Sequence, residues 1–424
     1  MSPWFPLRQP QPPRSPARYV GGHRVGLLRG GLALFPEQNE AIAQAQHEVW
    51  LATYIFHNDE AGAQTVAALR HAAGRGVRVR VVVDGFGSKA SLAWLREQLQ
   101  GSGVELAVFR PMDRWWRWLQ PGQLRRLHQK LCVVDAELGF VGGINLIDDH
   151  IDLHHGRSPQ PRLDFAVRVQ GSIVAEIAQC ARAVWTRAWL GRDAREELGA
   201  LLRSASPVAR AQRLLAYARM PGQANVPSTD LPQDPVFAAF VLRDNFRRRR
   251  AIERLYVHAI EQAQHRVDLI SPYFYPGQRI RQALINAARR GVRVRLLLQG
   301  KVDYRIAALA AQALYEELLG QGVQIYEYTP AFLHAKVCAV DGCWATVGSS
   351  NIDPLSLLLN LEANVAVDDA DFAQQVHREF DMAQSQSRRI EQAPTRGLRG
   401  AGRRALVAWA AYVYLRVAGA TGRY

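Results

Sequence analysis

The chain has 424 residues, of which 48% are hydrophobic and 21% charged, a composition that excludes an intrinsically disordered protein and allows two domains of ordinary size. Its formal net charge of +15 indicates an anionic partner, which composition alone leaves open as nucleic acid, an acidic membrane surface or a phosphorylated ligand. No stretch has the roughly 18 to 20 consecutive apolar residues that span a bilayer, so we expect that the protein is not integral to a membrane.

The N-terminal residues and the cysteines bear on the cellular compartment. Residues 1–19 are rich in Pro and Arg and lack an apolar signal-peptide core, so we expect a disordered tail. Cys132, Cys180, Cys338 and Cys343 form no CxxC pair and have no zinc-site spacing. This usage favours a reduced, cytosolic environment.

Helical and strand patterns alternate in the first part of the chain. Residues 41–48 have helical spacing and residues 49–56 read as a strand. Residues 61–74 are again helical and end at a glycine, before the β-branched strand 77–83. This order predicts an α/β domain whose sheet is covered by helices on both faces.

The same unit occurs twice, about 210 residues apart, which is the spacing of a domain duplication. "AIAQAQHEVWLATYIF" (41–56) recurs as "AIEQAQHRVDLISPYF" (259–274), "LRHAAGRGVRVRVVVDG" (69–85) as "LINAARRGVRVRLLLQG" (284–300), and "LHQKLCVVD" (127–135) as "LHAKVCAVD" (333–341). We expect two homologous halves related by a pseudo-twofold axis. The expected divisions are a tail (1–19), a first domain (20–215), a linker (216–235), a second domain (236–390) and a basic-apolar C-terminal segment (391–424).

A histidine and a lysine recur at identical spacing in the third repeated stretch. Side chains alternate along a strand, so His128 and Lys130 share one face, as do His334 and Lys336. The next residues on that face, Cys132 and Cys338, are interpreted as small core residues beneath the polar pair. The chain has only four lysines, and two of them occupy these positions, which indicates a need for a compact ammonium group.

Further polar residues follow each copy. "GGIN" (142–145) and "GSSN" (348–351) supply glycines that let backbone approach a ligand. Asn145, Asn351 and Ser349 are candidate groups for binding anionic oxygens. A carboxylate follows on the next strand of each half: Asp164 lies 36 residues after His128, and Glu362 lies 28 residues after His334. Such a carboxylate can accept an imidazole N–H and orient the ring.

These residues resemble the phospholipase D superfamily, whose signature is two copies of HxK(x)4D(x)6G(G/S)xN, and both copies match in full. "RDNFRRRRAIERLY" and "GSSNIDPLSLLLNLEANV" look like the bacterial cardiolipin synthases of the short type that lacks N-terminal transmembrane helices. The resemblance covers roughly residues 20 to 390. It implies that Asp135 and Asp341, which complete the catalytic motifs, brace the interface between the halves rather than act on phosphorus.

The residues and the resemblance together predict transfer of a phosphatidyl group through a covalent phosphohistidine. One neutral histidine attacks phosphorus, and the resemblance favours His128; the other, protonated, donates to the leaving oxygen. The two lysines and two asparagines neutralise charge on the phosphate, so we expect neither a metal nor another cofactor. If phosphatidylglycerol is the acceptor, the product is cardiolipin. We expect a monomer with an internal pseudo-dimer, bound peripherally to the cytoplasmic face of the cell membrane.

Two other functions stay open. A phospholipase D hydrolase or a nuclease of the same superfamily would use the same motifs, and the charge of +15 would suit DNA. Nucleases of this kind are often single-motif chains that dimerise, so the duplication favours lipid, and we expect no nucleic-acid partner. A non-catalytic membrane- or nucleic-acid-binding protein would explain the charge but not two intact motifs.

Four segments are ambiguous. Residues 110–130 hold three tryptophans and five arginines, which suit either a lip in lipid headgroups or a solvated loop. Residues 396–419 are either an interfacial helix or a helix docked on the domain. Residues 243–256 either bind phosphate or carry solvated arginines near a helix start. The histidines and aspartates of 147–155 suggest a metal site, but chance clustering in an acidic loop is the preferred interpretation.

Overall fold

The computed structural model describes residues 16–111, 125–153, 155–202, 236–244, 248–301 and 305–392. The first half contains, in order, β1 (Val20–Arg29), α1 (Gly30–Gln44), β2 (Glu48–Thr53), α2 (Glu60–Gly74), β3 (Arg78–Asp84), α3 (Leu92–Leu99), β4 (Glu105–Phe109), β5 (Leu131–Val134), β6 (Leu138–Gly142), β7 (Ile151–Asp152), β8 (Gly156–Arg157), β9 (Phe165–Gln170) and α4 (Ile173–Leu202).

The second half contains β10 (Val236–Arg243), α5 (Ala251–Gln262), β11 (Arg266–Ser271), α6 (Gln278–Arg289), β12 (Arg293–Gln299), α7 (Arg305–Leu319), β13 (Gln324–Tyr328), β14 (Val337–Val340), β15 (Trp344–Gly348), α8 (Pro354–Leu358), β16 (Glu362–Asp368), α9 (Ala370–Ser385) and β17 (Ser387–Ile390). The predicted α/β duplication is confirmed, because the element order of the first half returns in the second.

The local sequence explains how each repeat turns from helix to strand. Asp59 caps the start of α2 by accepting a hydrogen bond from the Gly62 N–H. After this helix, Gly76 adopts a left-handed conformation with φ +86°, and Gly291 does the same with φ +91° in the second copy. The valine-rich strand β3 follows at once, because β-branched side chains suit a pleated, buried surface.

The strands form one fifteen-stranded mixed sheet in the order β17-β13-β12-β11-β14-β15-β16-β10-β1-β9-β6-β5-β2-β3-β4. In each half the three strands linked by helices pair in parallel, and the rest of the half is antiparallel. Antiparallel pairing of β1 with β10 joins the halves. Strands β6 and β9 also contact β15 and β16, so the halves meet along the middle of the structure.

The hydrophobic core has three parts. One part lies between the halves and includes side chains of α4 and α9. The others lie within each half, beneath α1 to α3 and beneath α5 to α7 respectively. Cys132 and Cys338 are buried in these two outer parts, while Leu131 and Val133 face the central part, as the alternation along the strand predicts.

Candidate active site

Short parallel contacts across the middle of the molecule bring the two repeated histidines together. The His128 N–H donates to the Leu361 carbonyl at 3.0 Å, and the His334 N–H donates to the Leu163 carbonyl at 2.9 Å. The two contacts exchange equivalent residues of the two halves, as the predicted pseudo-twofold relation requires. Each histidine therefore lies beside the strand of the opposite half that carries the carboxylate.

The histidine–carboxylate pairs cross between the halves. His128 Nδ1 lies 3.0 Å from Glu362 Oε2, and His334 Nδ1 lies 2.6 Å from Asp164 Oδ2. The sequence predicted that Asp164 and Glu362 orient the histidines, and the structure places each carboxylate beside the histidine of the opposite half. A partner that is close in sequence lies on a neighbouring strand of the same sheet, whereas the residue that faces the ring comes from the other half.

Both lysines are buried beside these rings. Lys130 Nζ donates to the His128 carbonyl at 2.7 Å; Lys336 Nζ donates to the His334 carbonyl and lies 2.7 Å from the His334 Nδ1. Burial lowers the pKa of Lys130 to about 7, and the charge of Lys336 is the next cause. Burial also lowers the pKa of Lys336 to about 8, against the attraction of nearby carboxylates. The effect of the Lys336 charge on the pKa of Lys130 shows that the two ammonium groups lie close together.

The two histidine–carboxylate pairs differ in electrostatics. Burial lowers the pKa of His128, although Glu362 acts in the opposite direction. Burial opposes ionisation of Glu362, but its contacts with His128, Lys130 and Ser349 outweigh that effect and lower its pKa. Glu362 is therefore an anion at neutral pH.

The pKa values of the second pair, His334 and Asp164, are shifted differently. Burial raises the pKa of Asp164 to about 6, despite the charge of Lys336. Burial and the charges of Lys336 and Lys130 hold the pKa of His334 well below its usual range. This pair therefore exchanges a proton with its surroundings closer to neutral pH than Glu362 does.

The asparagines and Ser349 lie next to the pairs but have different tasks. Asn145 Oδ1 accepts the Ile55 N–H at 3.3 Å, so its amide nitrogen is the group available to a ligand. Asn351 is buried, and within the described ranges its Oδ1 has no hydrogen-bond partner. The Ser349 hydroxyl donates to Glu362 at 2.5 Å and is fully buried, so it holds the carboxylate rather than phosphate, contrary to the expectation from the sequence.

Asp135 and Asp341 are structural residues within their own halves. They lie at the far ends of β5 and β14 from the histidines, in left-handed conformations with φ 53° and 51°. Asp135 accepts the backbone N–H groups of residues 46–48, each at 2.8 Å, and Asp341 does the same for residues 264–266. The expectation that they brace the interface between the halves is wrong, because all these partners belong to the same half.

Other residues near the site were not identified from the sequence. The Tyr54 ring contacts the His128 ring edge-on at 5.1 Å and lies 5.5 Å from Lys130 Nζ. Asp84 accepts the Leu127 N–H at 2.9 Å, and in the second copy Gln299 accepts the equivalent N–H at 2.8 Å. The repeats carried the signal, since "VVVDG" and "LLLQG" both place a polar side chain at the end of the strand.

Several predicted features lie outside the described residues: the tryptophans of 110–130, the 216–235 linker, the C-terminal segment beyond residue 392, and His154. Within the described ranges, no helix is long and apolar enough to cross a membrane. The same part of the chain contains no group of three or more His, Cys, Asp or Glu arranged to hold a metal ion.

Comparisons with known proteins give the same picture as the geometry. Residues 39–156 and 256–383 match the family described as "Cardiolipin synthase, PLD-like domain". A cardiolipin synthase B of Salmonella typhi is 39% identical over 359 residues, which cover 83% of this chain and 78% of that protein. A cardiolipin synthase A of Pseudomonas fluorescens is 32% identical, with 84% of this chain and 67% of that protein covered.

Among solved structures, the phosphatidylserine synthase of Haemophilus influenzae Rd KW20 has the same fold. Its TM-score is 0.65 at 13% identity, and the match covers 94% of this chain and 95% of that one. The family match extends over both halves and more than half of the chain, and the relatives exceed 30% identity over most of their length. The chain therefore belongs to the cardiolipin synthase family of phospholipase D-like proteins.

Proposed function

We propose that this protein is a cardiolipin synthase that converts two phosphatidylglycerol molecules into cardiolipin and glycerol. The observation that carries the proposal is the pair of buried histidines, each bonded to a carboxylate of the opposite half and flanked by a buried lysine. A phosphodiester resists attack because its oxygens are negative and its alkoxide leaving group is poor. A nucleophile, a proton donor and clustered cations address these obstacles together.

We propose that His128 is the nucleophile. Glu362, held ionised, accepts a hydrogen bond from the His128 Nδ1–H and so leaves the Nε2 lone pair for phosphorus. The bound phosphate anion raises the pKa of His334 and so favours its protonated form. As the new N–P bond forms, the bond from phosphorus to the oxygen of the headgroup glycerol breaks, and His334 protonates that oxygen. The terminal hydroxyl of a second phosphatidylglycerol then returns a proton to His334 while its oxygen displaces His128.

Four polar groups stabilise the charge that develops on the phosphate in this scheme. Lys336, and Lys130 once the phosphate anion favours its charged form, supply positive charge from buried positions, where electrostatic interactions are stronger than in water. The amide nitrogens of Asn145 and Asn351 supply neutral donors. Water in place of the second lipid would give phosphatidic acid, so transfer requires that the lipid acceptor compete with water.

We also propose that the protein works as a monomer on the cytoplasmic surface of an anionic membrane. The net charge of +15 favours such a surface. Three exposed apolar side chains lie on segments next to the site: Leu32 follows the Gly31 contact at the start of α1, Phe86 follows Asp84, and Leu153 lies between β7 and β8. Their position would let the site opening approach lipid headgroups.

The test is incubation of the purified chain with phosphatidylglycerol vesicles, with cardiolipin, glycerol and phosphatidic acid measured by mass spectrometry. Equal amounts of cardiolipin and glycerol are expected. Phosphatidic acid alone would identify a hydrolase, and cleavage of DNA without any lipid product would identify a nuclease. Sedimentation with phosphatidylglycerol vesicles, compared with phosphatidylcholine vesicles, tests the membrane proposal.

A further inference from the structure

The site has a symmetric centre but unequal flanks. Gly30, directly after β1, and Arg243, the last residue of β10, occupy equivalent positions on the two strands that join the halves. The Gly30 N–H donates to the Asp164 carbonyl at 2.9 Å. In the second half, the backbone of Arg243 on β10 lies opposite that of Glu362 on β16. The first half therefore has no side chain at the place where the second half has a guanidinium.

Arg243 is buried as deeply as Lys336 and is only partly hydrogen-bonded. Its Nη1 group donates to the Asn360 carbonyl. Among the described residues, its Nε and Nη2 groups have no hydrogen-bond partner. Burial lowers its pKa to about 10, with Glu362 acting in the opposite direction and Arg249 adding to the decrease. Buried N–H donors without partners are rare in native proteins and require an explanation such as a ligand.

Other arginines surround this guanidinium on the His128 side of the site. We call Arg110, Arg125, Arg126, Arg243 and Arg249 the arginine cluster. The Arg126 backbone N–H donates to Asn360 Oδ1 at 3.3 Å, and Arg110 Nη1 donates to the Arg125 carbonyl at 2.9 Å. Burial, followed by the charges of Arg125 and Arg126, lowers the pKa of Arg110 to about 10. One member of the cluster, Arg126, lies two residues before His128 in the chain.

The opposite flank has a smaller excess of positive charge. At the start of α1, the Gly31 N–H donates to Asp149, a buried carboxyl group whose pKa burial raises to about 6. Arg162 attracts Asp149, and Asp164 repels it. An anion next to the reacting phosphate would therefore be favoured more beside His128 than beside His334.

The two lipids of the proposed reaction differ in one respect that these flanks can distinguish. The donor presents one phosphodiester, which lies between the histidines. The acceptor presents its attacking hydroxyl to His334, and the three carbons of its glycerol carry its intact phosphodiester away from the reacting phosphorus. We propose that the arginine cluster, through Arg243, binds the phosphodiester of the acceptor phospholipid; this inference rests on the proposed function.

The test is a competition between two acceptors for the same phosphohistidine. Phosphatidylglycerol vesicles are incubated with enzyme and ethanol, and cardiolipin and phosphatidylethanol are measured together. Ethanol has no phosphate, so only the lipid acceptor can use the cluster. Arg243→Gln should lower the ratio of cardiolipin to phosphatidylethanol roughly ten- to a hundredfold, the range expected for lost hydrogen bonds to a charged group.

Two further variants keep the test informative if Arg243→Gln does not fold. Arg249 is exposed, and Arg249→Gln should lower the same ratio roughly two- to fivefold with an unchanged melting temperature. Arg29→Gln is the matched control, because Arg29 ends β1 on the other flank and bonds Glu379 at 3.1 Å; its ratio should equal that of the wild type.

The outcomes separate the inference from the proposed function. If the wild type makes phosphatidylethanol but no cardiolipin, the proposed function fails. If the wild type makes cardiolipin and both cluster variants retain its product ratio, the inference alone fails. A purely structural role of Arg243 would lower both products in equal proportion and would also overturn it. A lower ratio in Arg249→Gln supports the inference even if Arg243→Gln does not fold.

Discussion

Replacement of Glu362 by glutamine tests the proposed division of labour at the site. The Glu362 carboxylate lies 3.0 Å from His128 Nδ1 and accepts the Ser349 hydroxyl at 2.5 Å. Glutamine keeps the size of the side chain and one accepting oxygen but removes the negative charge. That charge stabilises His128 when it becomes cationic on bonding to phosphorus.

The size of the effect follows from the geometry. Two unit charges about 4 Å apart interact by about 4 kcal/mol at an effective dielectric constant of about 20. Since about 1.4 kcal/mol corresponds to a tenfold change in rate, Glu362→Gln should lower kcat roughly a thousandfold. This magnitude is between those of a lost neutral hydrogen bond and a lost nucleophile.

The pH profile gives a second, independent readout. Glu362 raises the pKa of His128, so its removal lowers that pKa further. The nucleophile must be unprotonated, and the acid limb of kcat should therefore move to lower pH in Glu362→Gln while the plateau falls. Cardiolipin formation measured between about pH 4.5 and 9 records both changes.

The control is a buried glutamate outside the site. Glu327 accepts the Tyr315 hydroxyl at 3.1 Å, and Glu327→Gln should change stability without moving the pH profile. A plateau for Glu362→Gln within threefold of the wild type would refute the electrostatic argument. So would an acid limb that moves to higher pH.

Three further predictions follow from the site. His128→Ala and His334→Ala should each lower turnover by about 10⁴ or more, with circular dichroism unchanged; substantial activity in either would contradict a shared site. Lys336→Arg should lower kcat roughly a hundredfold and also lower the melting temperature, since a planar guanidinium does not fit the place of the buried ammonium. Asp135→Asn and Asp341→Asn should each cost about 1 to 3 kcal/mol of stability. These two losses, measured by urea unfolding, should be full above pH 5 and disappear as pH falls through the lowered pKa values of the folded carboxyl groups.

The duplication made much of the fold predictable. Once "LHQKLCVVD" and "LHAKVCAVD" were aligned, the α/β class, the approximate strands and the convergence of two histidines and two lysines followed from alternation and order. Two copies of one pattern constrain a structure more than either copy does, because a chance histidine does not recur at the same spacing.

The sequence did not show which carboxylate faces which histidine, and the resemblance implied the wrong role for Asp135 and Asp341. The Glu362 carboxylate contacts the His128 ring across the interface, although 234 residues separate the two and Asp164 is nearer to His128 in the chain. Asp135 belongs to the same motif as His128 but lies at the other end of the strand, where its charge holds backbone N–H groups. A motif records which residues occur together and does not distinguish those that meet the substrate from those that hold the loop.

The crossed pairs have a consequence for biosynthesis. While the ribosome has produced only the first half, His128 has no carboxylate to orient it, and the lone Asp164 has no imidazole. Each histidine gains its carboxylate only when the second half packs against the first, with β10 paired to β1. A chain that stops after the first half therefore lacks the groups that complete either pair.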